Sequence, residues 1–261
     1  MYNFFIQSYS TYKGLFYWLN WQGYISGVLL QPFATVTMFA ILGRFTSNPD
    51  IVRSYALGIA VVSMAFVLIA GITQSYVRER SAGATQFLFV SPANRLVNFL
   101  SRSVFHYPNA LVSFVFGMMA AWLIVNLNFG SVNWAGFIAT VLIIAASLTA
   151  FGQLLGVISV ATRDWIGIQG LANGLLLVFS GVIIPVAAFP GFIQEFAKLL
   201  PITNGLSAVR DTFIGAPLSE VYGDILREAI TGIVYYIIAF IGFGFFERSV
   251  KRTGSLERDV L

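Results

Sequence analysis

Formal charges punctuate this chain at wide intervals, and the intervals are apolar. Residues 14–43, 54–77, 103–162, 165–194 and 229–246 contain no Asp, Glu, Lys or Arg. A helix rises about 1.5 Å per residue and a bilayer core is about 30 Å thick, so ~20 mostly apolar residues cross it. The 103–162 interval would be roughly 90 Å long as one helix and must fold back. Asn126-Leu-Asn-Phe-Gly-Ser-Val-Asn133 supplies the turn chemistry for that. The pattern predicts an all-α integral membrane protein with six transmembrane helices, over about 25–42, 54–76, 104–125, 134–161, 167–186 and 229–246. The fourth is long enough to tilt or protrude. The runs are continuously apolar instead of alternating in segments of about ten residues, which argues against a strand barrel. The first run lies too deep in the chain, and is too poorly flanked, for a cleaved signal peptide.

Three segments are not spans. In residues 3–21, Phe5, Tyr9, Tyr12, Phe16 and Leu19 recur at helical spacing, with Gln7, Ser10, Thr11 and Gly14 elsewhere and Trp18 and Trp21 at the end. Residues 1–24 read as an amphipathic helix in the headgroup zone. The alternative is a longer first span, against which Lys13 argues, since a charge mid-bilayer costs roughly 2.5–3.5 kcal/mol on insertion scales. Residues 77–102 form an elbow that is charged at its start, apolar at Phe87-Leu-Phe-Val90 and stopped by Ser91-Pro92. Its exposed apolar residues suit either a protein partner or the membrane surface. Residues 187–228 carry five acids against three bases. Pro190-Gly191 breaks the fifth span. Phe192, Ile193, Phe196, Leu199 and Leu200 then mark a short amphipathic helix ending at Pro201. A second helix follows, with Asn204 as N-cap, Leu206, Val209 and Phe213 on one face, and Gly215 at its end. This pair either dips back into the membrane, as short re-entrant helices, or caps its surface.

Composition narrows the class. Hydrophobic residues make up 57% of the 261 and charged ones 10%, against about 25% charged in soluble domains, and the mean hydropathy is +0.80. A water-soluble enzyme, a disordered chain and a collagen-like chain are excluded. With no cysteine and one histidine, the chain builds no disulfide, thiol nucleophile, or Cys- or His-rich metal site. The net charge of +4 suits loops facing an anionic membrane better than nucleic acid. Ten Lys/Arg flank the spans on the side of the termini against five on the other, which places both termini in the cytoplasm and residues 187–228 outside.

Within the spans the polar groups are neutral, among them Gln31, Thr35, Ser63, Gln74, Gln153 and Asn173, suited mainly to hydrogen bonds between helices. Gly152 and Gly156, and Gly167, Gly170 and Gly174, allow tight packing within one bundle or at a seam between subunits. His106, at the start of the third span, reads as an interfacial hydrogen-bonding residue. There is no phosphate-binding loop, serine elbow or zinc-protease motif, so no catalytic residues and no metal ligands are expected. The absence of ionisable residues from the expected spans weakens ion-coupled carrier and channel readings. A non-transporting membrane assembly protein remains a further alternative.

Three segments carry a family resemblance. Arg78-Glu-Arg-Ser-Ala-Gly-Ala-Thr85, with Leu88, Ser91-Pro92 and Arg95, follows the second span. Phe179-Ser-Gly-Val-Ile-Ile-Pro185, leading to Phe189-Pro190, ends the fifth. Leu200-Pro-Ile-Thr203, with Val209-Arg-Asp211 and Gly215, lies outside. In these the chain resembles the membrane subunit of ABC-2 type exporters, the group of drug, lipid-linked glycan and polysaccharide export permeases. It departs from the family pattern where Ala84 intervenes between Gly83 and Thr85 and where Leu200 replaces the usual Asn before Pro201.

The resemblance implies a bacterial inner-membrane (plasma-membrane) protein that pairs with a second permease copy or a homologous permease. It docks on two separate ATP-binding-cassette subunits, which hold the ATP and Mg; this chain binds no cofactor itself. Arg78, Glu79, Arg80, Gly83, Thr85, Leu88, Ser91, Pro92 and Arg95 would couple it to the ATPase. Gln31, Phe39, Asn173 and Phe179 would line the substrate pathway, and Pro185, Pro190, Pro201 and Arg210 would form the external gate. The amphipathic N-terminal helix (1–24) would also reach the ATPase, the six spans would fill 25–246, and 247–261 would be a cytoplasmic tail. The very apolar spans favour a hydrophobic or amphipathic substrate, with glycan export as the alternative.

Overall fold

Short polar residues set the limits of the helices. The computed structural model describes residues 8, 9, 13, 21–46, 48–83, 95–162 and 164–253. In order these form α1 (Trp21–Arg44), α2 (Pro49–Ser81), α3 (Arg95–Ser101), α4 (His106–Val125), α5 (Trp134–Thr162) and α6 (Trp165–Phe179). A single 3-10 turn at Val186–Ala188 leads to α7 (Gly191–Leu199), α8 (Thr203–Phe213) and α9 (Leu218–Thr253). The Asn48 side chain accepts the Asp50 N–H at 2.9 Å and starts α2. Asn126 ends α4 in the left-handed region (φ 53°). Asp164 accepts the Gly167 N–H at 2.8 Å and starts α6. Each satisfies backbone groups that a helix end leaves open.

The core forms around α2. Leu57, Ile59, Met64, Leu68, Ile69 and Ile72 are almost entirely buried, between α1, α4, α5 and α6. Helix α5 bridges α2 to α9, and close approach there depends on glycine: a Cβ on Gly156 would lie 2.4 Å from the Tyr76 ring. Gly152 likewise faces Ile72, so these two serve packing within the bundle, whereas a Cβ on Gly170 or Gly174 would meet open space. Many of the polar residues in the spans are satisfied locally. Ser63, Thr73, Thr140 and Thr149 donate to carbonyls four residues back, a pattern that keeps hydroxyls quiet in hydrocarbon.

The outside is the reverse of a soluble protein. Ile230, Ile233, Val234, Ile237, Ile238, Ile241 and Phe245 are largely exposed along α9. An apolar stripe of this kind needs lipid or protein around it. Among the described residues, five helices are long and apolar enough to cross a membrane.

The fifth apolar run differs from the span expected over 167–186. Helix α6 stops at Phe179 after 15 residues, about 22 Å. Gly181 turns the chain at φ +78°, and Arg210 takes the carbonyls of Gly181 and Val182 that a continuing helix would use. The last helix begins at Leu218 instead of 229, which places Asp224, Arg227 and Glu228 on it. The segment taken as a tail from 247 stays helical to Thr253, and 254–261 lie outside the described residues. Most of the expected interface helix over 1–24 also lies outside them, while Trp21–Tyr24 run on into α1. Within α1, Ile25–Leu30 wind as a π-helix. Pro32 follows, with no N–H to donate to the Val28 carbonyl, and the regular ladder loosens upstream of it.

Candidate functional site

Three features flank or enter the bundle core. The first is the base of the elbow. Glu79, in the last turns of α2, accepts from Arg102 Nε at 2.7 Å and from its Nη2 at 2.6 Å. The Arg102 side chain is 3% exposed, and its guanidinium lies over the Tyr76 ring at 4.6 Å and the Phe243 ring at 5.3 Å. Tyr76 donates to Gln153 Oε1 at 2.6 Å, and Gln153 Nε2 donates to the Phe99 carbonyl at 2.9 Å. Arg80 donates to the Val160 carbonyl. The elbow is thus closed at its root by an ion pair that ties the end of α2 to the residue after α3, with the Tyr76 and Arg80 bonds tying α2 to α5 and the Phe243 ring adding α9.

Of the expected coupling residues, Arg78, Glu79 and Arg80 sit on the last turns of α2, and Gly83 follows at φ +68°. Arg95 opens α3. Thr85, Leu88, Ser91 and Pro92 lie outside the described residues. The sequence reading missed Arg102 and Tyr76, whereas Gln153, read there as a position for hydrogen bonds between helices, bonds Tyr76 and the Phe99 carbonyl. The available signal was Arg102 itself, an isolated cation at the far end of an elbow that begins with Glu79.

The second feature is a cavity of about 390 Å³ walled by α1, α2, α4 and α6 toward the elbow end. Gln31 and Asn173 line it, together with Gln74, His106, Asn109 and Gln169. Val28, Phe66 and Val67 form its apolar side, and no lining side chain is formally charged. The Gln169 and Asn173 side-chain oxygens are buried without a hydrogen-bond partner. His106 shares a hydrogen bond with Ser75 Oγ at 3.0 Å, and Tyr24 donates to Asn109 at 3.0 Å. Gly27 and Val28 of the π-helix belong to this wall. Phe39 and Phe179 are not part of it. Phe39 packs on the core, and Phe179 packs on Phe189 and Phe196 at ring distances of 5.7 and 6.0 Å.

The third feature is the 187–228 segment, at the opposite end. Helix α7 leaves Phe192, Phe196 and Leu199 exposed, whereas α8 buries Leu206, Val209 and Phe213 against α5 and α9. The second helix therefore enters the bundle instead of capping it. Pro185 leads into the 3-10 turn, Pro190 precedes α7, and Pro201 lies between α7 and α8. Arg210 Nη2 donates to the Gly181, Val182 and Ser54 carbonyls at 3.0, 3.3 and 3.4 Å. Burial pulls its guanidinium down to about 10, so it remains a cation at neutral pH. Burial and then the charge of Asp224 push the Asp211 carboxyl up, further than Arg210 draws it down.

Asn204 does not cap α8. The helix starts at Thr203, two residues earlier than that cap implies, after Ile202 at φ +83°, and Asn204 donates to the Lys198 carbonyl at 3.3 Å. The cap comes from Glu228 on α9, whose carboxylate accepts the Ile202 and Gly205 N–H groups. Sequence reading placed Glu228 at a boundary and could not see this role, because the contact spans 26 residues.

A family model described as "ABC-2 family transporter protein" matches residues 19–241. The chain is also similar to "Probable doxorubicin resistance ABC transporter permease protein DrrC" of Mycobacterium tuberculosis, from strains CDC 1551 / Oshkosh and H37Rv. Each is 26% identical over 199 residues, covering 74% of this chain and 69% of the relative. "Nodulation protein J" of Rhizobium meliloti (strain 1021) is 26% identical over 101 residues, 38% of each chain.

Proposed function

The chain belongs to the ABC-2 transporter family, and from that premise we propose that it is the permease of an ATP-driven exporter moving an amphipathic or hydrophobic small molecule (a drug, natural product or lipid) out of a bacterial cell. Two ATP-binding-cassette subunits supply the ATP and Mg chemistry, and a second permease copy completes the membrane pore. Both termini and the elbow face the cytoplasm. The elbow residues through Arg95 engage the ATPase, and closure of the ATPase around nucleotide moves α2 through its rigid root. The cavity takes substrate from the elbow end, and α7 and α8 gate the opposite end. Directionality requires that substrate contact the inward and outward states differently.

The uncharged cavity carries this reading. Its volume of about 390 Å³ falls in the range of pockets that hold drug-sized molecules. Its mixed lining suits a molecule with an apolar body and a few hydrogen-bonding groups, not a bare ion. The relative named for doxorubicin resistance supports the same substrate class. The test is uptake of a fluorescent amphiphile such as doxorubicin into inside-out vesicles containing the chain and its co-purified ATPase. Uptake that requires hydrolysable ATP and falls when Gln31 and Asn173 are both replaced by Leu supports the proposal. Uptake by the chain alone, driven by a proton or sodium gradient, overturns it.

A further inference from the structure

Glu228 is fully buried on a helix long and apolar enough to cross a membrane, where an ionised side chain persists only when partners satisfy it. Its partners include backbone amides, with the Ser147 side chain alongside. Oε1 accepts the Ile202 N–H at 2.9 Å and Oε2 accepts the Gly205 N–H at 3.1 Å. These amides open α8, where a helix has unpaired donors and a positive dipole end. Seven residues on, along the same face of α9, Tyr235 donates to the Leu199 carbonyl at 2.9 Å. The α9 face therefore holds the turn between α7 and α8 from both sides.

That turn needs holding. Ile202 is buried at φ +83°, a conformation that β-branched residues reach only when their surroundings impose it. Gly205 is seated so closely that a Cβ would lie 2.3 Å from Ile144 and 3.1 Å from Glu228 Cγ. The opposite side of α8 is held less tightly. Arg210 meets only carbonyls there, at 3.0–3.4 Å, and its Nε has no partner.

We infer that Glu228 is the positioning residue of the outer gate: it fixes α8 to α9 so that the two move as one body, and the gate opens at the Arg210 side, where α8 parts from the break after α6. This rests on the reading of α7 and α8 as the gate of an exporter. Both anchors join one charged side chain to neutral backbone groups, but the Glu228 bonds are shorter, at 2.9 and 3.1 Å against 3.0–3.4 Å, and fully buried, while Arg210 leaves its Nε unbonded, which sets the order of release.

The chain has no cysteine, so single cysteines report on it cleanly. Leu206→Cys on α8 and Met64→Cys in the α2 core, both buried, are labelled with N-ethylmaleimide in the full chain in lipid nanodiscs, with no ATPase present. With Glu228→Gln, labelling at 206 is expected to rise at least tenfold while labelling at 64 stays unchanged, and Glu228→Asp is expected to restore part of the protection. In vesicles holding the complex, Glu228→Gln is expected to raise passive leak of the amphiphile without ATP. Unchanged labelling at 206 overturns the inference, as does an equal rise at both positions, which marks general loosening. If the exporter reading alone is wrong, ATP-driven uptake is absent while the contrast between positions 206 and 64 remains.

Discussion

Arg102 shows how much one side chain decides at the elbow. It is held by Glu79 and by two aromatic faces, in surroundings where a lone charge is expensive. Removing one partner of a buried pair costs about 3–5 kcal/mol, whereas replacing both by neutral groups often costs far less. Arg102→Met is therefore expected to lower the melting temperature in detergent sharply, and Glu79→Gln/Arg102→Met to recover much of the loss. A double variant no more stable than the single one would show that the pair is not what matters. Asp211 gives a pH signature. Its carboxyl is raised by burial first, so the folded chain holds that proton more readily than the unfolded chain does. Between the ordinary carboxylate value and the raised one, stability falls as pH rises, and the penalty is complete above the raised value. Asp211→Asn is expected to flatten that decline and melt higher than the native chain at neutral pH, as read from melting curves between about pH 4 and pH 8. Single residues were the least legible part of the sequence. Gln31 and Asn173, which line the cavity, stand out in the sequence as polar groups in an apolar run. Arg102 and Glu228 were not, because their roles depend on partners in distant segments.

At the scale of elements, most helices could be read from the intervals between charges, since burial in hydrocarbon demands uninterrupted apolar residues. The fold after Asn126 followed from turn chemistry alone. The early end of the helix expected over 167–186 has a clear cause: Val182, Ile183 and Ile184 are as apolar as a span, and hydropathy cannot register that Arg210 captures the Gly181 and Val182 carbonyls. The π-helix in α1 was likewise invisible to hydropathy, although Pro32 was in plain view. The break after α6 is testable through Gly181, at φ +78° with a Cβ position 3.0 Å from Val186. Gly181→Ala is expected to cost about 1–2 kcal/mol for the left-handed backbone and to increase protease cleavage within 180–190. Unaltered melting and cleavage would mean that this turn adjusts freely.

The whole molecule is an assembly of helices that hides polar groups in its interior and shows apolar ones outside, an arrangement stable only in lipid. Under the proposed reading the energy for export comes from a second protein, which meets this chain at the elbow between α2 and α4. The root of that elbow is pinned by the Glu79–Arg102 pair and the Arg80 bond to α5, and the sequence between that root and α3 includes Phe87, Leu88 and Phe89. A single cysteine at Leu88 decides the matter, since the native chain has none. In sealed cells the Leu88→Cys protein should resist a membrane-impermeant maleimide. In inside-out vesicles it should cross-link to a cysteine in the co-purified ATPase, and the cross-linking rate should change with nucleotide. Labelling of Leu88→Cys from outside intact cells, or a cross-linking pattern indifferent to ATP, would contradict an exporter driven through this elbow.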